Sequence, residues 1–271
     1  MRNKNIFLII FCLIFFLMII SAVYEIGIFD SIYNYIIDVK FREKTMNLYN
    51  NYNYIDCLLR TVLEKWNDFE WNFDYIIIWS TNIFQIVLPF FTILGSVLWT
   101  QQKKEINKRD IYVASLKMSA SIFLAYAVFY ILIIIICHGN YSDYITRELF
   151  LDLLGDSFYS DHIYLYYFLD GVVRFLFAPF IYISSGMYLS ASFKNKIWLH
   201  YYVVILYFYL SMISILLLYI IDSTFIYLNP ISIILSGSYT YVSTPLLLLV
   251  NIIPLKVSQY IYTKKQVSYE N

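Results

Sequence analysis

Few side chains in this sequence stand where they could do chemistry. Asp170 and Arg174 lie four residues apart inside an otherwise uncharged apolar stretch. That spacing places both on one helix face, within reach of each other. Charges held in hydrocarbon are functional candidates because their burial is costly. Two readings stay open: an intrahelical ion pair, or an Arg174 turned toward a substrate cavity. His138, Asp161 and His162 are of metal-ligating types, but they are scattered, and a loop histidine beside an aspartate is ordinarily solvated, so no metal site is expected. The seven glycines build no GxxxxGK phosphate cradle, and neither HExxH nor GxSxG occurs. The chain is therefore expected to be no enzyme and to bind no cofactor of its own. Carboxylates for ion coupling at mid-span are also lacking, which argues against a secondary carrier.

The elements that must position these residues are membrane helices. Hydrophobic residues make up 61% of the 271 and charged ones only 14%, well below the quarter usual in soluble domains. The 29 Tyr and 5 Trp suit the headgroup layer, where an amphipathic ring has one end in hydrocarbon and the other in water. A helix needs roughly 20 apolar residues to cross a bilayer. Six stretches qualify: 6–24, 75–99, 111–137, 164–193, 197–221 and 239–262, the last interrupted by Pro245 and Pro254. With the N-terminus inside, segments 1–5, 100–117, 193–198 and 256–271 are cytoplasmic and carry 12 Lys or Arg against three acids. The opposite segments, 25–74, 138–163 and 222–238, carry six basic and 15 acidic residues. Lysine and arginine are retained on the cytoplasmic side, so both termini are expected inside. A cleaved signal peptide is the rival for the first span, but its apolar run exceeds the usual 7–15 residues.

The expected fold class is thus all-α integral membrane: a single transmembrane domain over 1–271 with a helical extracytoplasmic insertion at 25–74. Within that insertion Ile55, Leu58, Leu59, Val62, Leu63 and Trp66 fall at helical spacing, which predicts an amphipathic helix over 56–70, and another is expected within 26–48. That helix lies on the outer headgroups, lies over the spans, or caps the bundle as a solvated hairpin. On the inner side TQQKKEINKRD (100–110) is polar, free of Gly and Pro and made of good helix formers, which predicts a short cytoplasmic helix leading into the third span. Its residues are Gln101, Gln102, Lys103, Lys104, Glu105, Ile106, Asn107, Lys108, Arg109 and Asp110. Cys12 lies in an apolar run, which leaves Cys57 with Cys137 as the one pairing to consider.

Six spans with both ends inside, an inner helix followed by Lys117, GMYLSASFKNKIWLHYY (186–202) and YLNPISIIL (227–235) resemble the membrane subunits of ABC-2-type exporters. The resemblance implies a permease subunit in a bacterial plasma membrane, paired with a second, identical or different, permease subunit. It further implies that a separate ABC ATPase holds ATP and Mg and grips the 101–110 coupling helix. The long outer segment is similar to that of permeases that export peptides or give self-protection against antimicrobial peptides; a hydrophobic or amphipathic peptide is the expected substrate, because the spans offer almost no polar groups to recognise a sugar or ion. The alternative is a stand-alone membrane immunity or binding protein without transport activity.

Overall fold

The computed structural model describes residues 3–48, 53–69, 71–73, 76–77, 80, 92, 95–103, 106–138, 140, 161–193, 252 and 255–264. Among the described residues the regular structure is helical, with no strand. Among the described residues three stretches are long and apolar enough to cross a bilayer, Phe7–Tyr24, Lys108–Cys137 and Ile163–Ser192, with mean hydropathies of 3.0, 2.7 and 1.5 over an 18-residue length of each. They coincide with the expected spans at 6–24, 111–137 and 164–193 and fit a membrane protein. The expected span 75–99 is helical at those of its residues that are described, and 239–262 is described at 252 and 255–262, again as helix. The expected span 197–221 lies outside the described residues.

The chain divides into two compact units. One comprises Met1–Ile14, Phe84–Val128 and Ile145–Asn271; the other comprises Phe15–Ile83 and Phe129–Tyr144. Helix α1 (Asn3–Glu25) contributes to both. Leu8, Ile9, Leu13 and Phe16 on α1 are exposed, as a helix surrounded by hydrocarbon requires. It ends where Gly27 adopts φ 76 and donates its N–H to the Tyr24 carbonyl at 2.9 Å. Only a residue without Cβ takes that left-handed turn at no steric cost.

The second unit holds α2 (Ile28–Ile37), α3 (Val39–Leu48) and α4 (Tyr54–Asp68). Each break has a polar cause. The Asp38 carboxylate accepts from the Lys40 and Phe41 amides at 2.9 and 3.2 Å, and the Asn53 side chain accepts from the Asp56 amide at 2.9 Å. Both satisfy amide donors that a helix start leaves without partners. Helices α2 and α4 pack through Tyr35, whose ring meets the Tyr54 ring at 5.0 Å and whose hydroxyl donates to the Tyr54 carbonyl at 3.1 Å. Burial, with the Cys57 thiol alongside, pushes the Tyr35 hydroxyl above its ordinary pKa. Cys57 and Cys137 are both buried and are not joined in a disulfide.

Helix α5 (Lys108–Cys137) is 30 residues long, about 45 Å at 1.5 Å per residue. Helices α6 (Ile163–Val172) and α7 (Ala178–Ser192) are joined by one π turn, Val173–Phe177, in which the Ala178 amide donates to the Val173 carbonyl five residues back. Pro179 follows at once. In an uninterrupted α-helix its ring would collide with the carbonyl four residues earlier, that of Phe175; widening the preceding turn relieves the clash.

The expected separate helix over 101–110 is not what the described residues form. Gln101 closes one helical stretch, 95–101, and the next helix starts at Lys108. Between them Gln102, Lys103, Ile106 and Asn107 are turn and coil, while Lys104 and Glu105 lie outside the described residues. The Asn107 side chain accepts from the Asp110 amide at 2.7 Å, so the segment carries its own helix-start signal near its end. Good helix formers on either side do not outweigh that cap.

Candidate functional site

Two constellations in the first unit bring together residues with chemical capacity. The first is built on the π turn. Arg174 Nε lies 2.9 Å from Asp170 Oδ1 and 2.8 Å from Oδ2, with both side chains at least nine-tenths buried. From the start of α6, Asp170 is about 10 Å and Arg174 about 16 Å along the helix axis. The spacing of four therefore does bring the two charges into contact, as an intrahelical pair. Pairs of this kind owe their survival to mutual attraction in a low-dielectric setting that offsets the cost of desolvating each ion.

Helix α5 braces the turn. The Tyr126 hydroxyl donates to the Tyr167 carbonyl at 2.7 Å, and the Tyr126 ring stacks on Phe175 at 4.5 Å with 14° between planes. Between those two contacts the ring covers Gly171, where a Cβ would fall inside it. Gly171, adjoining Asp170, is thus the residue that lets α5 approach the backbone of α6. Spacing alone revealed the pair. The π turn and its Tyr126 brace went unrecognised, although Pro179 inside an apolar span was the available signal. Further along α7, Ser184, Ser185 and Ser190 are buried, and their hydroxyls have no hydrogen-bond partner among the described residues.

The second constellation is the 102–107 turn. Lys103 Nζ lies 3.6 Å from Asp110 Oδ2 and 4.7 Å from the centre of the Trp99 ring, so this lysine folds back onto its own turn. The Tyr262 hydroxyl donates to the Ile106 carbonyl at 2.6 Å, and its ring meets Tyr188 of α7 edge-on at 5.5 Å. Near the same end Tyr112 meets Phe180, and the Lys117 ammonium lies 5.9 Å from the Phe7 ring. Segments that charge counting assigned to one side of the bilayer are thus neighbours around the start of α5. Gln102, Asn107, Lys108 and Arg109 are exposed there, whereas Gln101, Lys103, Ile106 and Asp110 are partly covered.

His138, Asp161 and His162 are each exposed, and among the described residues no three His, Cys, Asp or Glu side chains form a metal-binding group. Comparison with protein-family models, curated proteins and solved structures finds no match to this chain.

Proposed function

We propose that the chain is the membrane-spanning subunit of an ATP-driven exporter, with six spans, both termini cytoplasmic, and the 102–107 turn with the start of α5 as the seat for a cytoplasmic ATPase. The observation that carries this reading is the latching of the turn. Tyr262 holds its Ile106 carbonyl while Lys103 closes on Asp110, so a push on Lys108 and Arg109 reaches α5, and through Tyr262 and Tyr188 it reaches α7. A rigidly attached, exposed basic element at the cytoplasmic end of two membrane helices is what a motor subunit needs to grip. The absence of a phosphate cradle from the sequence fits a motor on another polypeptide. In this reading the substrate is a hydrophobic or amphipathic peptide, and a second permease subunit supplies the other wall of its pathway.

The test is purification of the full chain from its native membrane in mild detergent, beside the Lys108→Glu/Arg109→Glu variant. The wild-type chain is expected to bring an ATP-hydrolysing polypeptide with it, and the variant to lose that polypeptide while keeping its membrane yield. A wild-type chain that purifies without any ATP-hydrolysing partner overturns the proposal and leaves a stand-alone membrane binding or immunity protein.

A further inference from the structure

The second unit contains an inverted helix. Cys57 and Thr61 of α4 are buried, while Ile55, Leu59 and Leu63 are between 54 and 64% exposed, with Trp66 exposed beside them. At 100° per residue the apolar arc 55/59/63/66 points almost directly away from the buried arc 57/61. Helix α2 behaves similarly: Ile28 and Tyr35 are buried, while Phe29, Tyr33, Ile36 and Ile37 form an exposed arc. Helices that display so many large apolar side chains on one face need an apolar covering from outside the fold.

The covering is identified by where the helices are tethered. Gly27, three residues beyond the apolar stretch Phe7–Tyr24, starts α2 directly. The far end of α4 returns to the same point, because the Cβ position of Gly27 lies 3.2 Å from Lys65 Cε. At the end of α4 the Trp71 ring meets Trp66 tilted and Phe69 edge-on, and Trp71 Nε1 donates to the Trp66 carbonyl at 3.1 Å. Phe73 then bonds the Asn140 carbonyl at 3.0 Å and meets Tyr130 edge-on, at the far end of α5. The helix pair is therefore pinned to the ends of two membrane helices and flanked by the aromatic residues that favour a headgroup layer. At about 15 and 22 Å neither helix can cross a bilayer. A groove of about 530 Å³ along α4 has Leu59 and Leu63 among Asp56, Arg60, Glu64 and Asn67, charges of both signs that suit zwitterionic headgroups.

We infer that α2 and α4 form an interfacial anchor, their outward apolar faces sunk into the leaflet that α1 leaves at Tyr24. This goes beyond the transport reading and is independent of it, since the anchor needs only a bilayer around α1. The anchor fixes the end of α1 laterally, and it presents the leaflet itself, instead of a protein partner, to the leucine face.

The experiment uses the full chain in phosphatidylcholine–phosphatidylglycerol nanodiscs, with Cys12→Ser removing the exposed native thiol. Nitroxides are attached at Leu59→Cys, at Ile36→Cys as an independent site on α2, and at Glu64→Cys as the polar reference. Collisional relaxation by oxygen, which partitions into lipid, is compared with relaxation by a water-soluble nickel complex. The expected result is loss of nickel access at 59 and 36 with oxygen access retained, and the reverse at 64. Equal nickel access at all three sites would mean a solvated hairpin and would overturn the anchor. So would shielding of 59 from both reagents with spin–spin broadening that unlabelled protein dilutes away, because a second copy would then be the covering.

Discussion

Removing one partner of the Asp170–Arg174 pair should cost far more than removing both. The two contacts, 2.8 and 2.9 Å from one guanidinium nitrogen, sit in side chains that are 5 and 10% exposed. At such separations an effective dielectric of about 20 gives roughly 6 kcal/mol of attraction, while each buried ion forfeits several kcal/mol of hydration. The pair is then close to break-even as a unit, but a lone survivor keeps its desolvation cost and loses its compensation. Asp170→Asn and Arg174→Met are each expected to destabilise by about 3–5 kcal/mol, and the double variant by less than either. The assay is reversible unfolding of the purified chain in mixed micelles, with the four proteins closing a double-mutant cycle. Single costs below about 1 kcal/mol, the range of solvated ion pairs, would refute the burial argument and return Arg174 to a wet, substrate-facing position.

Three further outcomes follow from individual contacts. Gly171→Ala drives a methyl group into the Tyr126 ring and should cost about 1–3 kcal/mol by overpacking; Tyr126→Ala in the same chain should make the added methyl nearly neutral, and a persistent full cost would show that the ring is not the obstacle. Tyr262→Phe removes the hydrogen bond to the Ile106 carbonyl while keeping the Tyr188 ring contact. A net loss of about 1 kcal/mol would make the 102–107 turn roughly fivefold more cleavable in limited proteolysis, and an unchanged rate would mean that the latch does not hold the turn. A membrane-impermeant maleimide should label none of the three cysteines in intact membranes, because Cys57 and Cys137 are buried and exposed Cys12 lies within the apolar stretch of α1. Labelling at Cys12 would take that helix out of the bilayer.

The membrane helices were legible because they depend on a property of each stretch alone: some twenty residues without charge satisfy their own backbone whatever surrounds them. The same independence made a helix at 54–68 readable from its spacing. Its direction was not, because the apolar arc that spacing reveals is normally turned inward, and here Tyr35 selects the Cys57 side instead. The 101–110 stretch shows the limit from another side. Summed propensity favoured one short helix, yet a single bond from the Asn107 side chain to the Asp110 amide moves the helix start to the stretch's last residues.

The charged site sets a deeper limit. Spacing of four brings Asp170 and Arg174 together under α or π geometry, so their contact follows from the sequence whichever form the turn takes. What the site can do depends on the form. A π turn rotates everything beyond it by roughly one residue's worth of helix, about 100°, relative to a continuous α-helix. Ser184, Ser185 and Ser190, all beyond the turn, are aimed by that rotation and not by their own spacing. Pro179 explains why a wide turn is tolerated, and Tyr126, reaching from 41 residues away to the Tyr167 carbonyl, explains why it is held in place. The chemistry-bearing pair was thus written locally, while the rotation of the helix beyond it was written in a contact between distant segments.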